Sequence, residues 1–400
     1  MEKITFVIPS RNNLEFLKLS YRSIRNLIRT HDILVLDDYS IDGTKEWLES
    51  LDDENLITYY NPGPERIGIV GMFDKGIELA RTEIIFAFHA DMIAGPNLDI
   101  NILKHLKSGT VVSATRIEPP LHPPGPEKIT QAWGNEPEDI NFNGIINSIG
   151  HFEKQHKDKV TGGIFAPWCM YKSDYLAIGG HDELFAPQSK EDSDLFNRFV
   201  LNGYNVVQSW DGLVYHFTSR GSRFNKYSGG EAGKDSPEWQ YTTTKNARNF
   251  IRKWGHFVKH TELMKPIIPH KYNIAFVMNN GNLQLLQALE PWCDRIYTEE
   301  VFNVIGRAND YIEMEQDNTK FDLTKRVLIK DENDPYAEND IVVEFDANSL
   351  TQEDFSVIQE LSNIVDQACR YEDYQGEYKL GNLKVTIMNN ETHEHELIKL

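Results

Sequence analysis

The groups best suited to chemistry lie just past three apolar runs: Pro9-Ser10-Arg11-Asn12, Asp37-Asp38 and His89-Ala90-Asp91. An apolar run that ends in polar groups reads as a buried strand of a parallel sheet, and open α/β sheets take their ligands beyond the carboxyl ends of such strands. If the three strands share one sheet edge, their end groups converge on one ligand. Asp38 is suited to accept from a base N–H or a sugar hydroxyl. Asp91 offers the carboxylate oxygen that a divalent cation takes, and a nucleotide diphosphate needs such a cation to offset its charge. Turn chemistry and helix capping compete for Asp37-Asp38. A core strand followed by a turn Asp competes for His89-Ala90-Asp91.

Two later positions extend the set. Glu191-Asp192 opens a helix whose Leu195, Phe196 and Phe199 make an apolar side. Both carboxylates then sit at its positive end, which favours the ionised form that a general base requires; an N-terminal cap is the plainer reading. His216 ends Val214-Tyr215-His216, ahead of a Ser- and Arg-rich segment, and reads as a metal ligand or a structural histidine. Arg220 and Arg223 could reach a diphosphate if that segment closes. Trp168 offers a face for an acceptor sugar, with core packing as the alternative. Arg116, Glu118, His122 and Trp133 lie where an acceptor pocket could be shaped.

The elements that must position these groups alternate. Strands are predicted at Ile4–Ile8, stopped by Pro9, then at Ile33–Leu36, Leu56–Tyr60 and from Ile84. Between them Leu14, Leu17, Tyr21, Ile24 and Ile28, then Trp47, Leu48 and Leu51, then Val70, Phe73, Ile77 and Ala80 recur at helical spacing. Alternation of this kind predicts βαβ units on a mainly parallel sheet. Residues 116–160 hold six prolines and read as a long irregular insertion. A helix over 192–201 and two short strands, Asn205–Gln208 and Leu213–His216, follow; residues 218–240 look mobile. Thr242 to Lys259 reads as a helix with Phe250, Trp254 and Phe257 on one side. Pro266 and Pro269 mark a linker, so one domain is expected over 1–264 and a smaller α/β domain over 265–400. The smaller domain has strands at 274–278, 340–345 and 383–388 and a helix over 355–365. It carries no phosphate-loop motif, and acceptor binding, homo-oligomerisation and a second activity are all open to it.

At 400 residues two domains are the default. Asp and Glu total 61 against 41 Lys and Arg, a formal charge of −20, which argues against nucleic acid or an anionic membrane as partner. Cys169, Cys293 and Cys369 are scattered, which suggests a reducing compartment rather than a disulfide framework. No apolar run has the length of a membrane span. Met1-Glu2-Lys3 leads straight into the first strand, with no signal peptide in view. The expectation is a soluble cytoplasmic protein.

Three stretches carry a family resemblance: Phe6-Val7-Ile8-Pro9-Ser10-Arg11-Asn12, Val35-Leu36-Asp37-Asp38-Tyr39-Ser40-Ile41-Asp42-Gly43-Thr44 and Phe88-His89-Ala90-Asp91. With Gly179-Gly180-His181-Asp182-Glu183 and Lys190-Glu191-Asp192-Ser193-Asp194-Leu195, their order and spacing resemble the family-two inverting glycosyltransferases of the GT-A fold. The likeness covers about the first 220 residues. It implies a GT-A-like, Rossmann-type mixed or parallel sheet flanked by helices, and transfer of a sugar from a nucleotide-diphosphate donor, UDP first among the nucleotides, to the hydroxyl of a glycan or other acceptor. Pro9, Arg11 and Asp38 match the base and ribose contacts, and Ser10, Arg66, His89, Ala90 and Arg220 complete the donor-binding set. Asp91 matches the last Asp of the D-x-D motif and His216 a further metal ligand, for Mn²⁺ or Mg²⁺. Asp192 matches the catalytic base, with Trp168, Glu191 and Trp133 on the acceptor side. His89 replaces the first Asp of D-x-D, and this departure motivates the alternative of a non-catalytic nucleotide- or carbohydrate-binding protein on the same fold.

Overall fold

The computed structural model describes residues 2–302, 306–331, 336, 338–369 and 375–398. They form two compact units, 1–243 with 260–267, and 244–259 with 268–399.

In the first unit the strands are β1 (Ile4–Ser10), β2 (Asp32–Asp37), β3 (Leu56–Tyr60), β4 (Ile84–Ala87), β5 (Met92–Ala94), β6 (Thr110–Glu118), β7 (Ile129–Thr130), β8 (Val160–Thr161), β9 (Trp168–Tyr171) and β10 (Asn205–His216). The helices are α1 (Leu14–Arg25), α2 (Thr44–Glu49), α3 (Gly68–Leu79), α4 (Leu98–Leu103), α5 (Phe142–Gln155), α6 (Lys172–Ala177) and α7 (Glu191–Leu201); α8 (Pro237–Trp254) follows them. The sheet runs β3-β2-β1-β4-β9-β6-β10-β5. β3, β2, β1 and β4 are parallel neighbours, β9 is antiparallel to both β4 and β6, and β5 is antiparallel to β10. The architecture is therefore GT-A-like and mixed.

Alternation along β1 assigns the two layers. Phe6 and Ile8 pack with Leu17 and Ile24 of α1 and Ile102 of α4, while Val7 packs with Met72, Phe73 and Ile77 of α3 and Leu195 and Phe199 of α7. Both faces of the central strands are thus covered, which is why Ile84 to Phe88 is uninterrupted apolar sequence. Burying each such side chain is worth about 1.5–3 kcal/mol.

Several local expectations are corrected. β1 runs through Pro9 to Ser10, because the missing N–H costs little at a strand end. α1 stops at Arg25, and Ile28 is 75% exposed. The insertion is more regular than its prolines suggest: β6 continues into it, and α5 forms where Asn141 caps Gly144 N–H at 3.0 Å. Residues 205–216 are one strand with an irregularity between Ser209 and Leu213. α8 ends at Trp254, leaving Phe257 exposed.

The second unit has a six-stranded sheet in the order β13-β12-β11-β14-β16-β15. Its strands are β11 (Ile274–Asn279), β12 (Arg295–Thr298), β13 (Val327–Ile329), β14 (Ile341–Asp346), β15 (Gly376–Leu380) and β16 (Leu383–Ile387). The helix expected over 355–365 is two helices, Gln352–Gln359 and Leu361–Cys369. No helix among the described residues is long and apolar enough to cross a membrane.

Candidate active site

The carboxyl ends of β1, β2 and β4, the end of β10 and the start of α7 supply the polar groups. His89, Asp91 and His216 each place one ligand atom within 4.8 Å of the others. Asp91 and His216 are buried, and His89 is half-buried. The His216 Nε2 lies 3.6 Å from Asp91 Oδ1, and its Nδ1 lies 3.0 Å from Glu118 Oε1. These two carboxylates outweigh burial and raise His216 to about 9, while His216 and the Arg220 N–H hold Asp91 far below the usual carboxylate range. His89 is lowered by burial. Two imidazoles and a carboxylate at this spacing fit a divalent cation, since two bonds of about 2.1 Å span about 4 Å. Imidazole nitrogen suits a transition-metal ion better than Mg²⁺.

A second group lies at the ends of β1 and β2. Asp38 is spent on the chain itself: Oδ1 accepts from Asn61 Nδ2 (2.7 Å) and Ile67 N–H (2.8 Å), and Oδ2 from Gly68 N–H (2.8 Å). It holds the loop that carries Arg66, with both oxygens already accepting from the chain. The neighbouring Asp37 does keep a buried, unpartnered Oδ1, and burial raises its carboxyl. It lines a cavity of about 370 Å³ with Tyr39, Lys45, Tyr60, Asn61 and Pro62. A D-D pair in sequence does not say which of the two carboxylates the chain's own amides take up.

Arg66 contacts Glu238 and donates to Gln188 Oε1 at 3.3 Å. Arg11 lies 3.7 Å from the other oxygen of Glu238. Burial first, and then the Arg11 charge, lower Arg66 to about 10. The Nε atoms of both arginines are buried without partners, as is Ser10 Oγ. Pro9 is part of the β1–β2 pairing, opposite Leu36. The Ala90 methyl belongs to the core, leaving only its backbone for a ligand.

α7 is entered through Ser189 and Lys190, both at positive φ. Gly68 fixes that entry from the other side: its φ is +85°, and a Cβ there would stand 2.4 Å from Pro187. Glu191 is buried with Oε2 unpartnered, and burial together with Asp192 pushes it well up. Asp192 is partly exposed. Asp38 and Glu191 act by charge on Arg66, and Asp91 and Asp192 on His89.

The other candidates lie elsewhere. The guanidinium of Arg220 donates to Asn135 O (2.5 Å), pairs with Glu136 (2.8 Å) and lies over Phe16; only its backbone N–H meets Asp91, at 2.9 Å. Trp168 is 1% exposed and packs on Tyr175 and Phe199, so no face is left for an acceptor sugar. Trp133 packs on Tyr215 and Phe152. The segment read as mobile is built in, with Arg220, Ser222 and Asn225 buried.

Residues 5–177 match the sequence profile of Glycosyl transferase family 2, and residues 142–226 that of Chondroitin N-acetylgalactosaminyltransferase. No curated protein sequence matches the chain. Among solved structures, GalNAc-T7 with UDP, GalNAc and Mn²⁺ is similar at 14% identity and a TM-score of 0.41, over 54% of this chain and 44% of that one. The mannosyltransferase PcManGT from Pyrobaculum calidifontis, in complex with GDP-Man and Mn²⁺, is similar at 17% identity and a TM-score of 0.39, over 55% and 58%. S. aureus TarS 1–349 is similar at 12% identity and a TM-score of 0.39, over 54% and 60%. The chain thus spans about half the length of these structures. The motifs, the mixed sheet and the clustered edge groups lie on one unit, and residues 5–177 of it are similar to the family-two glycosyltransferases.

Proposed function

We propose that this protein is a glycosyltransferase, an inverting, metal-dependent enzyme that moves a hexosyl group from a nucleotide-diphosphate sugar, UDP by resemblance to the family-two enzymes, to an acceptor hydroxyl. The observation that carries the reading is the convergence of His89, Asp91 and His216 within 4.8 Å of one another. His89, Asp91 and His216 hold the cation, Mn²⁺ ahead of Mg²⁺ for a donor set containing two imidazoles. When bound, that ion supplies charge neutralisation for the departing diphosphate. Asp37 and Tyr60 take the base or ribose in their cavity. Arg11 and Arg66 offer unused N–H groups to the diphosphate, in competition with Glu238.

Asp192 takes the acceptor proton. It is the half-buried member of the carboxylate pair, so it can meet an incoming hydroxyl, and it sits at the positive start of α7. Glu191, buried behind it, lines the acceptor side, and Trp133 is left as a more distant acceptor contact. The free thiols of Cys169, Cys293 and Cys369 accord with a cytoplasmic site of action. The second unit is assigned acceptor binding or self-association.

The test is Asp192→Asn. Transfer should fall by about 10²–10⁴-fold while UDP binding in the presence of Mn²⁺, measured by calorimetry, stays at the wild-type level. Normal turnover by that variant removes Asp192 as the base.

A further inference from the structure

Glu118 belongs to no ligand cluster, yet it makes the contact that decides how His216 faces. β6 and β10 run parallel with Arg116 opposite Val214 and Ile117 opposite Tyr215, so the next pair brings Glu118 beside His216. Its Oε1 lies 3.0 Å from His216 Nδ1, while the other ring nitrogen of His216 looks to Asp91 at 3.6 Å. The carboxylate is itself held from two further directions. Arg116 Nη1 donates to Oε1 at 3.0 Å, and Lys128 Nζ donates to Oε2 at 2.9 Å. Arg116 in turn stacks on the Phe165 ring at 3.7 Å and faces Glu127 at 3.6 Å. The side chains of His216, Glu118, Arg116 and Lys128 are 9%, 2%, 7% and 7% exposed.

An imidazole can donate from one nitrogen and offer a lone pair only from the other. A carboxylate fixed beside Nδ1 takes the proton there and leaves Nε2 as the ligand atom. We propose that Glu118 is the positioning residue of the metal centre: by accepting the Nδ1–H of His216 it turns the Nε2 lone pair toward the space shared with His89 and Asp91. Arg116 and Lys128 keep the carboxylate from swinging away, so the start of the insertion serves as the back wall of the cation site. The inference rests on the metal reading above.

The experiment titrates Mn²⁺ into the full-length protein, free ion being read by electron paramagnetic resonance. Wild type, Glu118→Gln, His216→Ala and the double variant are compared. Removal of a carboxylate behind a histidine ligand typically weakens metal binding by about 10–100-fold, and this loss is expected for E118Q. If Glu118 acts through His216, the double variant binds Mn²⁺ no more weakly than H216A alone. A merely structural carboxylate gives additive losses, or none, and either result overturns the proposal. Should E118Q fail to fold, Glu118→Asp replaces it in the same cycle; it keeps the negative charge for Arg116 and Lys128 but withdraws it from His216. Wild-type protein that binds no Mn²⁺ overturns the metal reading as well. Wild-type binding with E118Q unchanged overturns this inference alone.

Discussion

Two of the places where the protein buries charge treat it in opposite ways. In the second unit Glu290 is fully buried, yet it accepts from Arg252 Nε (2.9 Å) and Nη2 (2.7 Å), from Arg326 Nε (2.6 Å) and from the Tyr311 hydroxyl (2.8 Å). Arg252 spends its remaining donors on Glu315 (2.6 Å) and Asn249 (2.9 Å). In the first unit Ser10, Arg11, Asp37, Arg66, Glu191 and Arg220 each keep a buried polar atom with no partner among the described residues. An unmade buried hydrogen bond costs about 1–3 kcal/mol. A network that meets every demand is architecture, whereas one that leaves several unmet at the end of a parallel sheet is shaped for something that arrives.

The contrast can be broken by substitution. Glu290→Gln strands the buried Arg252 and Arg326, and chemical denaturation should show a loss of about 3–5 kcal/mol, with UDP affinity unaltered in calorimetry. Asp37→Asn should do the reverse. Hydrogen bonds to charged groups are worth about 1.5–3 kcal/mol, so UDP affinity falls by about 10–100-fold, while the melting temperature holds or rises because an unpaired buried carboxyl has gone.

Acid sharpens the comparison. The arginines hold folded Glu290 at about 2 against an ordinary 4.5. A lowered carboxyl contributes stability that is complete above its ordinary value and lost as pH falls toward the folded one. Wild-type melting temperature should therefore drop between about pH 4.5 and 2, and E290Q should flatten that part of the drop. The smallest effect belongs to Glu238, whose side chain is 33% exposed and competes for Arg66 and Arg11. A part-exposed ion pair is worth up to about 1 kcal/mol, so Glu238→Gln should tighten UDP binding by a few-fold. Weaker binding would show that Glu238 supports the donor instead.

What the sequence made legible was local. Apolar runs followed by Asp, His or Pro-Ser-Arg named the strand ends, and Asp91 and His216 meet because the sheet brings those ends together. What stayed hidden depended on long-range packing. Trp168 reads equally well as platform or core, and only β9, seated between β4 and β6, settles it as core. Asp37 and Asp38 differ in which backbone amides lie nearby, and Ile67 and Gly68 are some thirty positions away. Glu118 gained its meaning from strand register. α5 was masked by flanking prolines although Asn141 was in place to cap it.

The irregularity in β10 carries one more consequence. From Ser209 opposite Ala114 to Leu213 opposite Thr115, β10 advances four residues while β6 advances one. The surplus of three is odd, so it decides which residue stands beside Glu118. A chain short by any one of Trp210, Asp211 or Gly212, with the strands otherwise kept, would seat the phenyl ring of Phe217 where the imidazole stands. The meeting of His216 with Glu118 and Asp91 is in this sense a matter of counting: its chemistry is written at position 216, but its address is set a few residues earlier.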